Sequence, residues 1–228
     1  MNRLEKIFAE NKKTLIVLAC CGAPDLDSSR ERIEKIIDAG ANIVELGIPF
    51  SDPMAGTPDV LTAFQQAIAS GASLSTILPM IKTIRERHPE TGLIVSGYCN
   101  IFLQYGVEKL FCELKMIGID GVKIFDLPYE EQAEFGIYAE KYSVPILCSA
   151  SARTGRERAE QIFRNARGFI YCAEKLSSAK LAEFKSLTSL PVAALPETAE
   201  ADGVLLCENI ANMPISDLAV KLSTYKSK

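Results

Sequence analysis

The chain has 228 residues, 48% of them hydrophobic, and a formal net charge of −4 with a sequence pI near 5.3. That size and apolar content suit one domain, residues 1–228, with a sizeable core. The acidic balance speaks against a nucleic-acid footprint or a membrane-surface helix, and no apolar run approaches the roughly 20 residues of a membrane span.

In chain order, Met1 to Phe8 reads as a short charged helix and not as a signal peptide. An apolar run at 15–19 predicts the first strand, and 29–39 follows as a helix with Ile33, Ile36 and Ile37 on one face. The run 43–46 is the second strand, trailed by helical stripes at 61–69 and 74–87, the latter with Ser73 as its cap. Strand 93–96 precedes helix 107–117, strand 121–125 precedes helix 129–142, and strand 145–148 precedes helix 156–165. Strand 168–171 is followed by helix 179–187, strand 191–194 by no helix, and strand 203–206 by a closing helix at 216–226. Only eight residues separate Ala194 from Gly203, too few for a covering helix of about ten residues or more. Continuously apolar strands alternating with helices are those of a parallel sheet buried on both faces. Eight such units predict a single eight-stranded parallel β/α (TIM) barrel with a shortened final third. A doubly wound open sheet is the alternative topology.

Seven cysteines is an odd number for a secreted framework, and none stand in metal-ligand spacing. Several fall at strand ends, where a free thiol serves as a small buried hydrophobe. No metal site is expected, and the thiols fit a reducing, cytoplasmic setting.

The run Val44-Glu45-Leu46-Gly47-Ile48-Pro49-Phe50-Ser51-Asp52-Pro53 is the most informative stretch. An apolar strand ends in one carboxylate and breaks at once into a Gly/Pro turn. A lone acid at the mouth of a buried strand is costly unless it has a task. The decapeptide resembles the signature of the tryptophan synthase α chain, a barrel lyase. The resemblance is strong from about residue 15 to 131, fair to 171 and poor beyond.

That resemblance implies a TIM barrel that needs no cofactor, with Glu45 as the general acid/base. It also implies a second acid after the Ser-Asp-Pro turn that holds the indole nitrogen; here Gly56 stands at that position. Asp59, three residues on, reads either as a substitute acid or as a helix-start charge favoured by the dipole. Asp126, Tyr98, Asn100 and Tyr171 match family residues around the pocket, with Tyr171 lining a cavity and Tyr98 open to a plain packing role. Lys123 stands where the family has an apolar residue that touches the indole. Three readings apply to it: pairing with Glu45, a head reaching the rim, or a desolvated amine able to form a Schiff base as in class I aldolases.

Barrels that bind phosphate do so after strands seven and eight through Gly-rich turns and a short helix N-terminus. No glycine occurs between Phe169 and Asp202, and none after Gly203. The family's Gly-containing loop after strand six is replaced by residues 172–178, which keep Ser177 and Ser178 as anion donors. The family's Gly-Ser after strand eight is replaced by Cys207-Glu208, a repulsive pair for phosphate. Ala23 replaces a family Asp, and the single histidine, His88, sits at a helix end as a C-terminal charge.

Three functions follow. One is the lyase, cleaving indole-3-glycerol phosphate to indole and glyceraldehyde 3-phosphate, weakened or lost here. A second is a silent barrel that binds and activates a tryptophan synthase β chain through Asp52, Pro53, Asn100 and an exposed apolar segment at Ile101, Phe102 and Leu103. The third is a barrel enzyme acting on an unphosphorylated substrate through Glu45 and Lys123. None involves nucleic acid or a membrane.

Overall fold

The computed structural model describes residues 2–54, 56–207 and 213–226. Helix α1 (Arg3–Glu10) is opened by a capping box, with Asn2 accepting from Glu5 N–H and Glu5 returning to the Asn2 N–H. Strand β1 (Thr14–Cys20) leads to α2 (Leu26–Asp38), whose N-cap Asp25 accepts from Ser28 N–H at 2.8 Å. Strand β2 (Ile43–Gly47) is followed by α3 (Pro58–Ala69) and α4 (Leu74–Arg87). Ser73 is the N-cap of α4 and its N–H donates to Thr76 Oγ1 at 3.0 Å.

Strand β3 (Gly92–Gly97) is followed by two helices. The sequence pattern anticipates α6 (Val107–Ile117) but not the short α5 (Cys99–Tyr105). Strand β4 (Gly121–Ile124) precedes a 3₁₀ turn at Tyr129–Glu131 and α7 (Ala133–Tyr142). After α8 (Arg156–Phe163) come β5 (Ile170–Cys172), α9 (Ser178–Leu187), β6 (Val192–Ala194), β7 (Gly203–Leu206) and α10 (Ile215–Lys226). No helix lies between β6 and β7.

The seven strands form one parallel sheet in the order β4-β3-β2-β1-β7-β6-β5. Neighbours are sequential on either side of the β1–β7 junction, which is a ring cut between β4 and β5 and not the order of a doubly wound sheet. The run 145–148, expected as an eighth strand, forms no ladder among the described residues. It spans the gap with one bridge to each neighbour, Val122–Ile146 and Ser149–Tyr171. Val122 N–H donates to Pro145 O and Leu147 N–H to Val122 O, both at 2.8 Å. Tyr171 N–H then donates to Cys148 O at 2.9 Å. The segment thus serves β4 with its first half and β5 with its second, and neither pairing extends far enough to count as a strand.

The alternation of strand residues sorts the core into two sides. Val17, Val44, Leu46, Leu93, Val95, Val122 and Leu206 join the helices in the largest cluster. The opposite face carries Ile16, Ile43, Ile94, Leu147, Phe169, Tyr171, Ala193 and Leu205. Leu4 and Ile7 of α1 pack on that inner cluster, so the N-terminal helix covers the end of the sheet remote from the strand C-termini. An Arg3–Asp120–Arg85 knot fastens this end. Asp120 takes ion pairs from both arginines, the Arg85 one at 2.8 Å, and accepts from Leu93 N–H at 2.9 Å. Among the described residues no single helix is long and apolar enough to cross a membrane.

Candidate active site

Inner-facing positions on β2, β3 and β4 share register rows. Leu18 pairs with Glu45 and Glu45 with Ile94; one row further, Cys20, Gly47, Ser96 and Lys123 align. Gly47 offers no side chain, so the space above Glu45 is left to Ser96 and to groups arriving across the sheet. The inner face therefore carries one carboxyl, one hydroxyl and one amine within two rows, in an otherwise apolar surround.

Glu45 is 1% exposed. Tyr171 Oη donates to its Oε2 at 2.9 Å, whereas Oε1 is buried with no hydrogen-bond partner. Ser96 Oγ lies beside the carboxyl without meeting hydrogen-bond geometry and is likewise unpartnered. Burial pushes the Glu45 carboxyl above its ordinary pKa; Ser96, Tyr171 and the Lys123 charge pull it back to a lesser degree. Burial raises the Tyr171 phenol as well, with Cys207 and Glu45 adding to it.

Lys123 is 5% exposed. Its Nζ donates to Ile124 O at 3.1 Å and lies over the rings of Phe125 and Tyr171, 5.0 and 5.6 Å from their centroids. No ion pair within 4.0 Å joins it to Glu45 or to any other described carboxylate. Burial lowers its pKa to about 8, against the raising influence of Glu45, Cys148 and Asp126.

Lys123, Asp126, Tyr171 and Glu174 line a cavity of about 600 Å³ at the C-terminal ends of β4 and β5, with Phe125, Leu147, Ser149 and Thr154 among its walls. Glu45 stands behind Tyr171 and is not part of that wall. Asp126 Oδ1 accepts from Cys99 N–H at 2.8 Å, which ties the loop after β4 to the start of α5. Asp59 lies in the first turn of α3, outside the cavity. Gly56 has φ +146°, and a Cβ there would stand 3.3 Å from Val60 Cγ1.

Tyr98 is 1% exposed and stacks on Phe50 with centroids 4.8 Å apart, so it is packed in the wall. Asp52 and Asn100 are exposed, and Pro53 is half-buried. The segment after β3 corrects the expectation of three exposed apolar residues. Helix α5 turns Phe102 wholly inward against Gly97 and half-buries Ile101, and only Leu103 is exposed. After β5, Ser177 Oγ accepts from Lys180 N–H as the cap of α9, and Glu174 Oε2 accepts from Ala152 N–H. Glu208 lies outside the described residues.

Sequence reasoning singled out Glu45, Lys123 and Tyr171, which this geometry brings together, but passed over Ser96. Its signal is parity: a small polar residue in an apolar strand, two positions beyond inward Ile94, shares the face of Glu45.

A sequence model of the tryptophan synthase alpha chain family matches residues 4–192. The tryptophan synthase alpha chain of Caldanaerobacter subterraneus subsp. tengcongensis is 38% identical over 176 residues, 75% of this chain and 66% of that protein. The tryptophan synthase alpha chain of Geobacter sulfurreducens is 35% identical over 175 residues, with the same two shares. The chain thus spans a little under two thirds of the length of these curated relatives. The crystal structure of the tryptophan synthase alpha chain from Legionella pneumophila subsp. pneumophila superposes with a TM-score of 0.88 at 27% identity, over 100% of this chain and 97% of that one. The matched region carries β1 to β5, Glu45, Lys123 and Tyr171, and the chain belongs to the tryptophan synthase alpha chain family.

Proposed function

We propose that this chain acts in tryptophan biosynthesis as an α-type partner of a tryptophan synthase β chain. On this reading the family's own reaction, retro-aldol cleavage of indole-3-glycerol phosphate to indole and glyceraldehyde 3-phosphate, is weak or absent. The observation that carries it is the contrast between Glu45 and Gly56. Glu45 keeps its inward position, its tyrosine partner and a carboxyl biased toward the protonated form. That is what a proton donor to the indole ring requires. Gly56 has no side chain to hold the indole nitrogen, and its φ of +146° suits glycine and few other residues. Losing a hydrogen bond made in the transition state commonly costs about two to three orders of magnitude in rate.

Substrate grip is reduced elsewhere too. Glu174 places an acidic side chain in the cavity wall. The partner role draws support from Asp52 and Pro53 on the loop after β2 and Asn100 on α5, with Met54 and Leu103 of the same two segments exposed. The same reading takes residues 145–148 as the eighth stave of a single-domain TIM barrel that is trimmed between β6 and β7. It also takes the setting as cytoplasmic, and no cofactor, metal, nucleic acid or membrane is required.

The test is indole release from indole-3-glycerol phosphate, with and without a cognate β chain, together with serine-plus-indole turnover by that β chain. Faster β turnover with little or no indole release supports the proposal. Brisk release that Glu45→Gln abolishes would overturn it in favour of a working lyase.

A further inference from the structure

Lys123 has no task in the reading above, and it does neither of the things an inward lysine ordinarily does. A buried ammonium pairs with an acid, or its stem is buried and its head reaches water. Lys123 is 5% exposed and, among the described residues, has no ion pair within 4.0 Å. Among the described residues its Nζ makes one hydrogen bond, to Ile124 O at 3.1 Å, so donor positions and the nitrogen lone pair of the neutral form remain available. The groups facing it are Glu45 from β2, Tyr171 from β5, Cys148 from the bridging segment and Asp126 from its own loop. It lies on the wall of a cavity of about 600 Å³ whose sides include Phe125, Leu147 and Ile162. The volume suits a small organic molecule, and the wall sets these apolar side chains beside Asp126, Ser149, Thr154, Arg158 and Glu174 around the amine.

The geometry points to Lys123 as a nucleophile that condenses with the carbonyl carbon of a small aldehyde or ketone. Neutral Nζ adds to the carbonyl carbon, and the C–N bond forms as the π pair of C=O moves to oxygen. That oxygen takes up a proton while the nitrogen releases one, giving a carbinolamine. The hydroxyl then takes up a second proton and leaves as water, and the nitrogen lone pair closes the C=N bond of a protonated Schiff base. The net change is one amine, one carbonyl and one proton becoming one iminium and one water. Glu45, whose carboxyl is linked to the cavity wall through Tyr171 Oη, is the proton store beside the site. A buried amine with a depressed pKa is partly neutral near pH 8, the state this step needs.

The experiment uses the full chain with benzaldehyde and sodium borohydride at pH 8, followed by peptide mapping. Borohydride delivers hydride to C=N and leaves a stable benzylamine. At pH 8 a lysine of pKa about 8 holds about a hundredfold more free amine than one at the ordinary 10.4. The Lys123 peptide should therefore be benzylated at least about tenfold faster than that of exposed Lys109, the rest being lost to restricted access. Its labelling rate should level off above pH 8. The wild-type map reads both sites in one sample, so the result does not depend on a variant folding. Lys123→Arg should lose the label at that peptide and leave Lys109 unchanged. An unlabelled Lys123 beside a labelled Lys109, or equal rates at the two, would overturn the proposal. Neither result touches the β-chain reading, whose assays contain no added aldehyde.

Discussion

Replacing Lys123 by methionine should change how stability depends on pH, and the size of the change follows from burial. Met keeps an unbranched stem of similar volume and discards the charge. In the folded chain the Lys123 ammonium is held down to about 8 from an unfolded value of 10.5, a difference of about 3 kcal/mol. The sign runs opposite to that of a paired lysine. Below about pH 8 both states are protonated and the fold carries the full desolvation cost. Between about 8 and 10.5 the unfolded chain still binds the proton and the folded chain does not, so stability rises with pH. Above 10.5 the cost is gone. Urea unfolding of wild type and Lys123→Met at pH 7 to 10.5 measures the difference directly, and subtraction cancels the other titrating groups. The wild type should gain about 3 kcal/mol relative to Lys123→Met across that window. The lost bond to Ile124 O and the lost ring contacts shift the whole curve without giving it a slope. A difference that stays flat with pH would show that Lys123 titrates as an ordinary lysine, and the burial argument would be wrong.

Three further outcomes are expected. Tyr171→Phe removes the one hydrogen bond that Glu45 accepts among the described residues, leaving both carboxyl oxygens without a partner there. It should cost about 1–3 kcal/mol in urea unfolding and move the Glu45 carboxyl titration, read by difference infrared spectroscopy, to higher pH. Asp120→Ala strips Arg85 of its acid partner where that side chain is 9% exposed, and should cost about 3–5 kcal/mol; a loss below about 1 kcal/mol would mean the knot is merely a surface pair. Gly56→Asp should not raise indole release, because φ +146° and Val60 at 3.3 Å oppose a side chain there. A tenfold or greater gain, on the order of 1.4 kcal/mol, would show that the loop adapts.

Much of the fold was legible in the sequence because burial on both faces writes itself as apolar runs. Helices 74–87 and 107–117 and strand 203–206 were read to the residue, since caps, glycines and periodicity agree there. The run 145–148 has the composition of a strand, yet its pairing is shared between two neighbours, which no local pattern encodes. Helix α5 escaped notice because seven residues are too few for a period to emerge. Its consequence, the burial of Phe102 against Gly97, depends on a contact across the chain. At the site, Glu45 and Lys123 stood out as charges in apolar strands. Their relation did not, because the length and angle of each side chain decide whether an inward pair meets. These two lie close enough to feel each other's charge and too far apart to form an ion pair.

That separation bears on which part of the family's chemistry the proposed reading takes to be weakened. An ammonium in contact with Glu45 would hold it ionised and disable it as an acid. Here Lys123 exerts only the smallest of the influences on Glu45, behind burial and the Ser96 and Tyr171 hydroxyls, and the net displacement stays upward. On the proposed reading, in which Glu45 carries the proton, the carboxyl therefore stays displaced upward despite the lysine. On the same reading, what differs from the family pattern is the means of holding the substrate: Gly56 in place of an acid, no glycine in the turn after β5, Cys207-Glu208 in place of Gly-Ser after β7, and an amine in a wall where an apolar side chain would meet the ring. A barrel that had lost only its proton donor would still bind the phosphorylated substrate and form a dead complex. One that keeps the donor and loses the grip should bind that substrate poorly from the outset. On the proposed reading, then, calorimetry should register little binding of indole-3-glycerol phosphate to either the wild type or Glu45→Gln. Tight binding by Glu45→Gln would assign the deficit to chemistry and not to recognition.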